Sequence, residues 1–236
     1  MPAQPKTAET AVPAETAGVL RKGEASRLRP SPERVKKILD RLEEMYPDAD
    51  CELKFGSVYQ LLVAVVLSAQ TTDKSVNVVT KELFARYPDA FAMAKASEEE
   101  IASIIKRIGM YRTKSKNVLA LSRILAEKYD GQVPESFELL TELPGVGRKT
   151  ANVVLSVGFG QPRIAVDTHV FRVAGRIGLS NAKNVLDTEK DLMELIPKER
   201  WSRAHHSLIF HGRRCCSARK PNCEGCGIRE ECRFGC

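Results

Sequence analysis

A lysine and an aspartate near the middle of the chain are residue types that could perform amine catalysis. Lys149 follows a turn rich in glycine at 143–147, and Asp167 follows the apolar run 164–166. We expect Lys149 in the first turn of a helix, where the helix dipole disfavours the ammonium form and partial burial disfavours it further. A neutral amine can attack the anomeric carbon of a nucleotide and form a Schiff base with the opened sugar.

Each of these two residues also has a simpler interpretation. Most lysines are solvated surface residues, and Asp167 is well placed to cap a helix that begins at Thr168. Capping is compatible with catalysis, because N–H bonds keep a half-buried carboxylate ionised. Such a carboxylate could accept a proton from Lys149 and stabilise the cation left by a departing base. On the residues alone, capping is the safer interpretation of Asp167.

The glycines of the turn before Lys149, Gly145 and Gly147, are candidates for contacting a phosphate. Glycine tolerates positive φ and leaves backbone N–H groups uncovered. These donors lie beside the N-terminus of the next helix, where an anion is stabilised. A plain corner between two helices has the same Pro-Gly pattern, so the turn alone leaves both interpretations open.

Four cysteines near the C-terminus have the spacing of metal ligands. Most of the seven cysteines fall in the last 22 residues, which is unlike a secreted disulfide scaffold and indicates a reducing compartment. The Cys-x2-Cys step occurs in both zinc and iron–sulfur sites, so the spacing predicts a metal site and leaves the metal open. Cys215 adjoins the first ligand and could replace it, while Cys51 and Cys236 receive no role. The predicted ligands are Cys216, Cys223, Cys226 and Cys232.

Composition and charge fit a soluble protein that contacts a polyanion. The chain has 37 Lys and Arg against 30 Asp and Glu, a net charge of +7. Residues 200–236 hold eight basic and three acidic residues, so most of the excess lies in one segment. No apolar run approaches the roughly 20 residues needed to cross a bilayer, and the N-terminus has no signal-peptide core. We expect a cytoplasmic protein, associated with the nucleoid if it is bacterial, with no membrane partner.

Helical periodicity dominates from Ser31 onward, and the sequence predicts an all-α fold. Apolar residues recur at three- to four-residue spacing at 35–45, and 57–67 is mostly apolar. Ser97 and Glu100 predict a capping box. Residues 1–30, rich in Ala, Pro, Thr and Glu, are predicted to be a disordered tail. Further helices are predicted at 136–142, 147–158, 168–177, 184–196 and 198–211.

Taken together, these segments closely resemble the endonuclease III family of helix–hairpin–helix DNA glycosylases. Residues 143–155 resemble the family's hairpin and 165–169 its catalytic-aspartate segment, and the similarity runs from about 32 to 232. The resemblance implies Lys149 as the Schiff-base nucleophile and Asp167 as its activating carboxylate. It also implies a [4Fe–4S] cluster on the four spaced cysteines, which decides the metal in favour of iron.

The resemblance further implies an architecture of two helical lobes with a cleft between them. The first would be a six-helix lobe at 51–162, with the helix–hairpin–helix motif near 136–158. The second would be an iron–sulfur lobe that combines 31–50 with 163–236. Base chemistry on a duplex requires that the base be flipped out and the vacancy filled or the strand held kinked, so the cleft is expected to face DNA.

Four residues are expected to contact DNA beside the turn glycines. Gln70 matches the family's gap-filling glutamine, and Met110 lies where relatives place an intercalating leucine. A core position after a turn is the alternative for Met110. Arg219 and Lys220, between the predicted ligands, are expected to contact phosphates.

These inferences predict a bifunctional DNA glycosylase and AP lyase of base excision repair. The enzyme would excise oxidised pyrimidines and cleave the abasic site by β-elimination through Lys149. We expect a monomer whose partner is double-stranded DNA containing damaged bases or abasic sites. One alternative is a mismatch-specific glycosylase of the same superfamily, which usually lacks the hairpin lysine and carries an extra C-terminal domain. The other is a non-catalytic DNA-binding module.

Overall fold

A computed structural model describes residues 29–234, which are helical with no β-strand among them. The all-α prediction is therefore confirmed. The tail predicted at 1–30 lies outside the described residues except for its last two positions, and Cys236 lies outside them as well. Within 29–234, no helix combines the length and apolar character needed to span a membrane.

The α-helices of the described residues are numbered here in chain order. The α-helix Arg148–Val153 continues directly as a π-helical segment, Val154–Gly158, and 3-10 turns occupy Lys198–Arg200 and Arg229–Glu231. The helices are α1 (Pro32–Met45), α2 (Val58–Leu67), α3 (Asp73–Arg86), α4 (Ala90–Ala94), α5 (Glu98–Ile105), α6 (Tyr111–Lys128), α7 (Phe137–Thr141), α8 (Arg148–Val153), α9 (Thr168–Ile177), α10 (Val185–Leu195) and α11 (Trp201–Arg214).

Side-chain caps start many of these helices where the sequence predicted a start. The Oγ atom of Ser57 accepts a hydrogen bond from the amide of Gln60 at the start of α2. At α5 the amide of Glu100 donates to Ser97 Oγ, and the amide of Ser97 donates back to the Glu100 carboxylate at 2.9 Å. The predicted capping box is thus confirmed.

The structure differs from the predictions in one helix boundary and in the number of helices in one region. The segment predicted as one helix at 198–211 begins as a 3-10 turn, and α11 then runs on to Arg214, beyond the predicted end. The region 51–162 contains seven α-helices instead of six, because Ala90–Ala94 forms a separate helix of five residues capped by Asp89.

The buried apolar side chains form two separate clusters. One is built from residues between Leu53 and Leu155. The other combines Val35–Ala49, from α1 and the turn after it, with residues between Ile164 and Ile228. Helix α1 reaches the second cluster because it packs against α11. This grouping follows the boundaries proposed for the two lobes, although the division into two domains stays a prediction.

Candidate functional site

Lys149 and Asp167 line the same pocket, although 17 residues separate them in the chain. Lys149 comes from α8, and Asp167 directly precedes α9. The wall opposite them includes His205 and Arg213 of α11 together with Asp73 at the start of α3. The pocket therefore draws side chains from both apolar clusters and lies where the two meet.

Asp167 is the N-cap of α9, as predicted. Its Oδ1 atom accepts hydrogen bonds from the amides of His169 and Val170, each at 2.8 Å. The carboxylate is half-buried. Because both amides use Oδ1, the Oδ2 atom has no hydrogen-bond partner among residues 29–234. Capping thus fixes the orientation of the carboxyl group and leaves one oxygen for proton transfer.

Lys149 is the second residue of α8, whose N-cap is Gly147. The position in the first helical turn agrees with the prediction. The Lys149 side chain is exposed. Lys149 is therefore accessible from solvent while it lines the pocket.

Polar contacts with Glu189 of α10 hold α8 in place. Arg148, the neighbour of Lys149, makes a bidentate ion pair with Glu189, with its closest approach at 2.6 Å. The buried Asn152 donates to Glu189 and to the carbonyl of Ile164, both at 3.2 Å. Because Ile164 lies three residues before Asp167, these bonds tie the lysine helix to the segment that carries the aspartate. Periodicity and spacing gave no signal of this network.

His205 is a buried residue in the wall of the pocket. Its side chain is 3% exposed, and Nδ1 has no hydrogen-bond partner among the described residues. Burial, with smaller contributions from the charges of His206 and Lys149, holds the pKa of His205 well below its usual value. An imidazole nitrogen without a hydrogen-bond partner among the described residues therefore belongs to the same pocket as Lys149.

Arg213 forms a polar link across the mouth of the same pocket. Its guanidinium is ion-paired with Glu52 and donates to the Asp73 carboxylate at 2.8 Å. Arg213 belongs to α11, which packs in the second apolar cluster. Glu52 and Asp73 belong to the part of the chain that forms the first apolar cluster. Local sequence patterns did not predict this link between the three residues, because ion pairs between distant segments leave no local pattern.

The turn glycines have different local requirements. Gly145 adopts φ +80°, and a Cβ atom there would lie 2.9 Å from the Nδ2 atom of Asn117. Gly147 has φ −95°, and a Cβ atom there would meet nothing within 4 Å. Both glycines are exposed, as a phosphate contact requires. The backbone conformation therefore requires glycine at position 145 but not at position 147.

Gln70 and Met110 occupy two exposed turns with unusual backbones. Their φ angles are 52° and 55°, in the left-handed region that side chains other than glycine rarely adopt. Met110 is 51% exposed, which excludes the alternative of a core position. The buried Lys114, one turn after Met110, donates to Thr71 Oγ1 at 2.8 Å and so holds the two turns together. Strain of this kind tends to collect at functional sites.

The cysteine segment surrounds a cavity of about 110 Å³. All four predicted ligands line it, and so does Cys215. Cys216, Cys226 and Cys232 carry free thiols, and Cys223 lines the same cavity. A set of thiols that converge on one cavity fits a metal cluster, because thiolates are strong ligands for zinc and iron.

Arginines of α9 dock the cysteine segment onto the helix that Asp167 caps. Arg172 donates to the carbonyls of Gly212 and Cys216. One turn later, Arg176 donates to the carbonyl of Ser217 at 2.7 Å and lies 3.5 Å from the Cys216 sulfur. The two sites are therefore joined through one helix. The predicted phosphate contacts, Arg219 and Lys220, are exposed.

Comparison with known proteins gives consistent matches over this same region. The HhH-GPD superfamily base excision DNA repair protein family matches residues 63–198. Endonuclease III of Bacillus subtilis (strain 168) is 50% identical over 198 residues, which cover 84% of this chain and 90% of that protein. Endonuclease III of Escherichia coli (strain K12) is 47% identical over 197 residues, with 84% and 93% covered.

Solved structures match the fold as well as the sequence. The structure of a trapped endonuclease III–DNA covalent intermediate superimposes with a TM-score of 0.83 at 48% identity, covering 87% of this chain and 97% of the other. A non-covalent endonuclease III–DNA complex gives the same TM-score at 47% identity. Both matched structures contain DNA, and Lys149 and Asp167 lie within the residues that the family model matches.

Proposed function

The chain belongs to the endonuclease III family of the HhH-GPD superfamily, and on that premise we propose that Lys149 and Asp167 perform its chemistry. The protein is a base excision repair glycosylase and AP lyase that binds damaged duplex DNA. The finer assignments concern the two residues, the class of lesion and the cofactor. The single observation that supports the residues best is that both side chains line one pocket.

In the proposed reaction, the carboxylate of Asp167 first accepts a proton from the Lys149 ammonium group. The neutral amine then attacks C1′ of a nucleotide flipped out of the duplex, and the C1′–N bond to the base breaks. As the base departs it takes this proton from Asp167, and the carboxylate restored in this way stabilises the cationic character that develops at the sugar. The exposed position of Lys149 suits this step, because the sugar must reach the amine from the DNA side.

The departing base takes up a proton, and the sugar opens into a Schiff base on Lys149. Loss of a proton from C2′ then expels the 3′ phosphate by β-elimination, and hydrolysis returns the free lysine. The protein supplies the amine, the proton acceptor and a fixed geometry, and the sugar supplies the leaving groups. We assign oxidised pyrimidines as the substrate class on the basis of the family resemblance.

DNA contacts are proposed at three places around the pocket. The amides of the turn at Gly145 and Gly147 would bind a phosphate at the start of α8. The exposed turns of Gln70 and Met110 would enter the duplex where the base has left. Arg219 and Lys220 would bind phosphates farther along the strand. The exposure of all these residues supports the assignment.

We propose that Cys216, Cys223, Cys226 and Cys232 hold a [4Fe–4S] cluster. When bound, this group would crosslink the cysteine segment, whose backbone lacks a regular helix between α11 and Arg229. The docking of that segment on Arg172 and Arg176 would then keep α9, and with it Asp167, in position. No chemical step of the glycosylase or lyase reaction requires the cluster.

Borohydride trapping on duplex DNA with a single abasic site tests the proposed chemistry. Borohydride reduces a Schiff base to a stable amine, so the wild-type protein should form a covalent adduct that survives denaturation. Lys149→Gln should form none while binding the same DNA, and Lys128→Gln, which alters another exposed helical lysine, should trap like the wild type. Folded wild-type protein that binds the DNA without trapping would contradict the lyase assignment.

A further inference from the structure

Cys215 is the fifth cysteine that lines the cavity of the cysteine segment, whereas the proposed cluster needs only four cysteine ligands. Its backbone ends α11, where the amides of Cys215 and Cys216 both donate to the carbonyl of His211, at 3.0 Å and 2.7 Å. The same turn of backbone therefore fixes two adjacent cysteines. Both line the cavity of the cysteine segment.

The Cys215 thiol is directed toward the other donors. Its Sγ atom donates to the carbonyl of Asn222 at 3.3 Å, on the residue that precedes Cys223. Cys215 Sγ, Cys226 Sγ and a ring nitrogen of His211 all lie within 4.8 Å of one another. Donor atoms at these separations can share one metal centre. The Cys215 thiol therefore lies close enough to the donor atoms of Cys226 and His211 to bind the same metal centre.

Cys216 approaches the same cavity from another side. Its sulfur lies 3.5 Å from Nη1 of Arg176, on α9, and the residue is 8% exposed. Cys232, whose thiol donates to the Arg176 carbonyl at 3.8 Å, lies on that side too. The two adjacent cysteines therefore flank the cavity, one toward Cys226 and His211 and the other toward Arg176.

We propose that Cys215 is an alternative ligand that supplies the first thiolate when Cys216 is absent. The inference rests on the cluster assignment made above. Ligation would replace the S–H bond of Cys215 with a sulfur–iron bond and release the proton to water, with no change of oxidation state. Neither of the other free ligands has such a substitute, since Cys226 lies between two glycines and Cys232 between Glu231 and Arg233.

Iron content and visible absorption of purified variants test this inference without any activity assay. Cys215→Ala and Cys216→Ala should each keep the iron content and cluster absorption close to the wild-type values. The double variant should lose both almost completely. Cys226→Ala is the matched control, because it removes one ligand that has no neighbouring thiol, and it should lose the cluster as the double variant does.

Failure of this inference is distinguishable from failure of the cluster assignment. A wild-type protein without iron and sulfide would overturn both proposals. A loaded wild type with Cys216→Ala as empty as Cys226→Ala would overturn only the role of Cys215. To separate ligand loss from poor assembly in the cell, each variant is also reconstituted with ferrous iron and sulfide, and its helical content is checked by circular dichroism. Cys216→Ala that is helical yet stays empty after reconstitution contradicts the proposal.

Discussion

The pocket of Lys149 and Asp167 and the cysteine segment differ in what holds their functional atoms. In the pocket, Asp167 is a helix cap bound by two amides, and Asn152 ties the lysine helix to the aspartate segment. In the cysteine segment, Cys216, Cys223 and Cys226 belong to irregular backbone between α11 and the short turn at Arg229–Glu231, and Cys232 follows that turn. Secondary structure therefore places the first set of groups, whereas the second set depends on cross-links between its own side chains.

This difference indicates separate roles for the two regions. In a pocket organised by helix ends, a substitution that changes one polar atom should have little effect on folding. Substitutions there are therefore expected to lower activity without lowering stability. A segment of clustered thiols contributes to stability when a metal joins them, because binding free energy becomes folding free energy. The arginines of α9 connect the two regions, so damage to the segment is expected to reach Asp167.

The largest effect is expected from Asp167→Asn. Asparagine caps helices as well as aspartate does, so the amides of His169 and Val170 keep their acceptor and the fold should be unchanged. The lost charge and proton acceptor should slow excision by about 100-fold or more. Single-turnover excision measures the rate, and thermal unfolding serves as the control. A variant as active as the wild type would remove Asp167 from the mechanism.

Cys232→Ala should have the opposite profile. Removal of a ligand should empty the metal site and lower the free energy of unfolding by roughly 3 kcal/mol or more. Chemical denaturation measures this loss, and Asp167→Asn provides the matched variant from the other region. Equal stability of the two variants would mean that the cysteine segment does not contribute to folding, and the comparison drawn above would be wrong.

Acid should weaken the fold through the buried His205. Its pKa is lowered by burial, so below the ordinary value of 6.5 the unfolded chain binds a proton that the folded chain does not. Stability should therefore be complete above pH 6.5 and fall below it, by up to about 2 kcal/mol at pH 5 from this residue alone. Urea unfolding at pH 8 and pH 5 should show a smaller difference for His205→Gln. An unchanged difference would show that His205 is protonated in the folded protein.

The smallest effect should separate the two glycines of the turn. Gly145→Ala forces a side chain into φ +80° and toward Asn117, which should cost about 1 kcal/mol or more in the free energy of unfolding. Gly147→Ala should change that free energy by less than about 0.5 kcal/mol, because the added Cβ meets nothing. Equal losses for both variants would mean that strain at Gly145 does not set the turn.

Local patterns in the sequence predicted the parts of the site that depend on local geometry. The capping role of Asp167 and the capping box at Ser97 follow from residue types next to a helix start, and the helix containing Lys149 follows from its glycine turn. The pairing of Lys149 with Asp167 came from the family resemblance, since spacing alone does not bring two helix ends together.

The remaining features depend on tertiary packing that a local pattern does not encode. The contacts of Glu189 with Arg148 and Asn152 join segments about 40 residues apart, and the link between Arg213 and Glu52 spans 161 residues. The exposure of Lys149 is another such feature, because burial depends on what packs over a side chain. The inward direction of the Cys215 thiol likewise emerged only from the fold.

Identification of the residue that carries the trapped sugar tests the central claim most directly. The wild-type protein is trapped with borohydride on abasic-site DNA, the DNA is digested, and the modified peptide is sequenced by mass spectrometry. The account predicts that the sugar remnant is attached to Lys149. Attachment to another lysine or to the N-terminal amine would contradict it, because the pocket shared with Asp167 would then not be where the Schiff base forms.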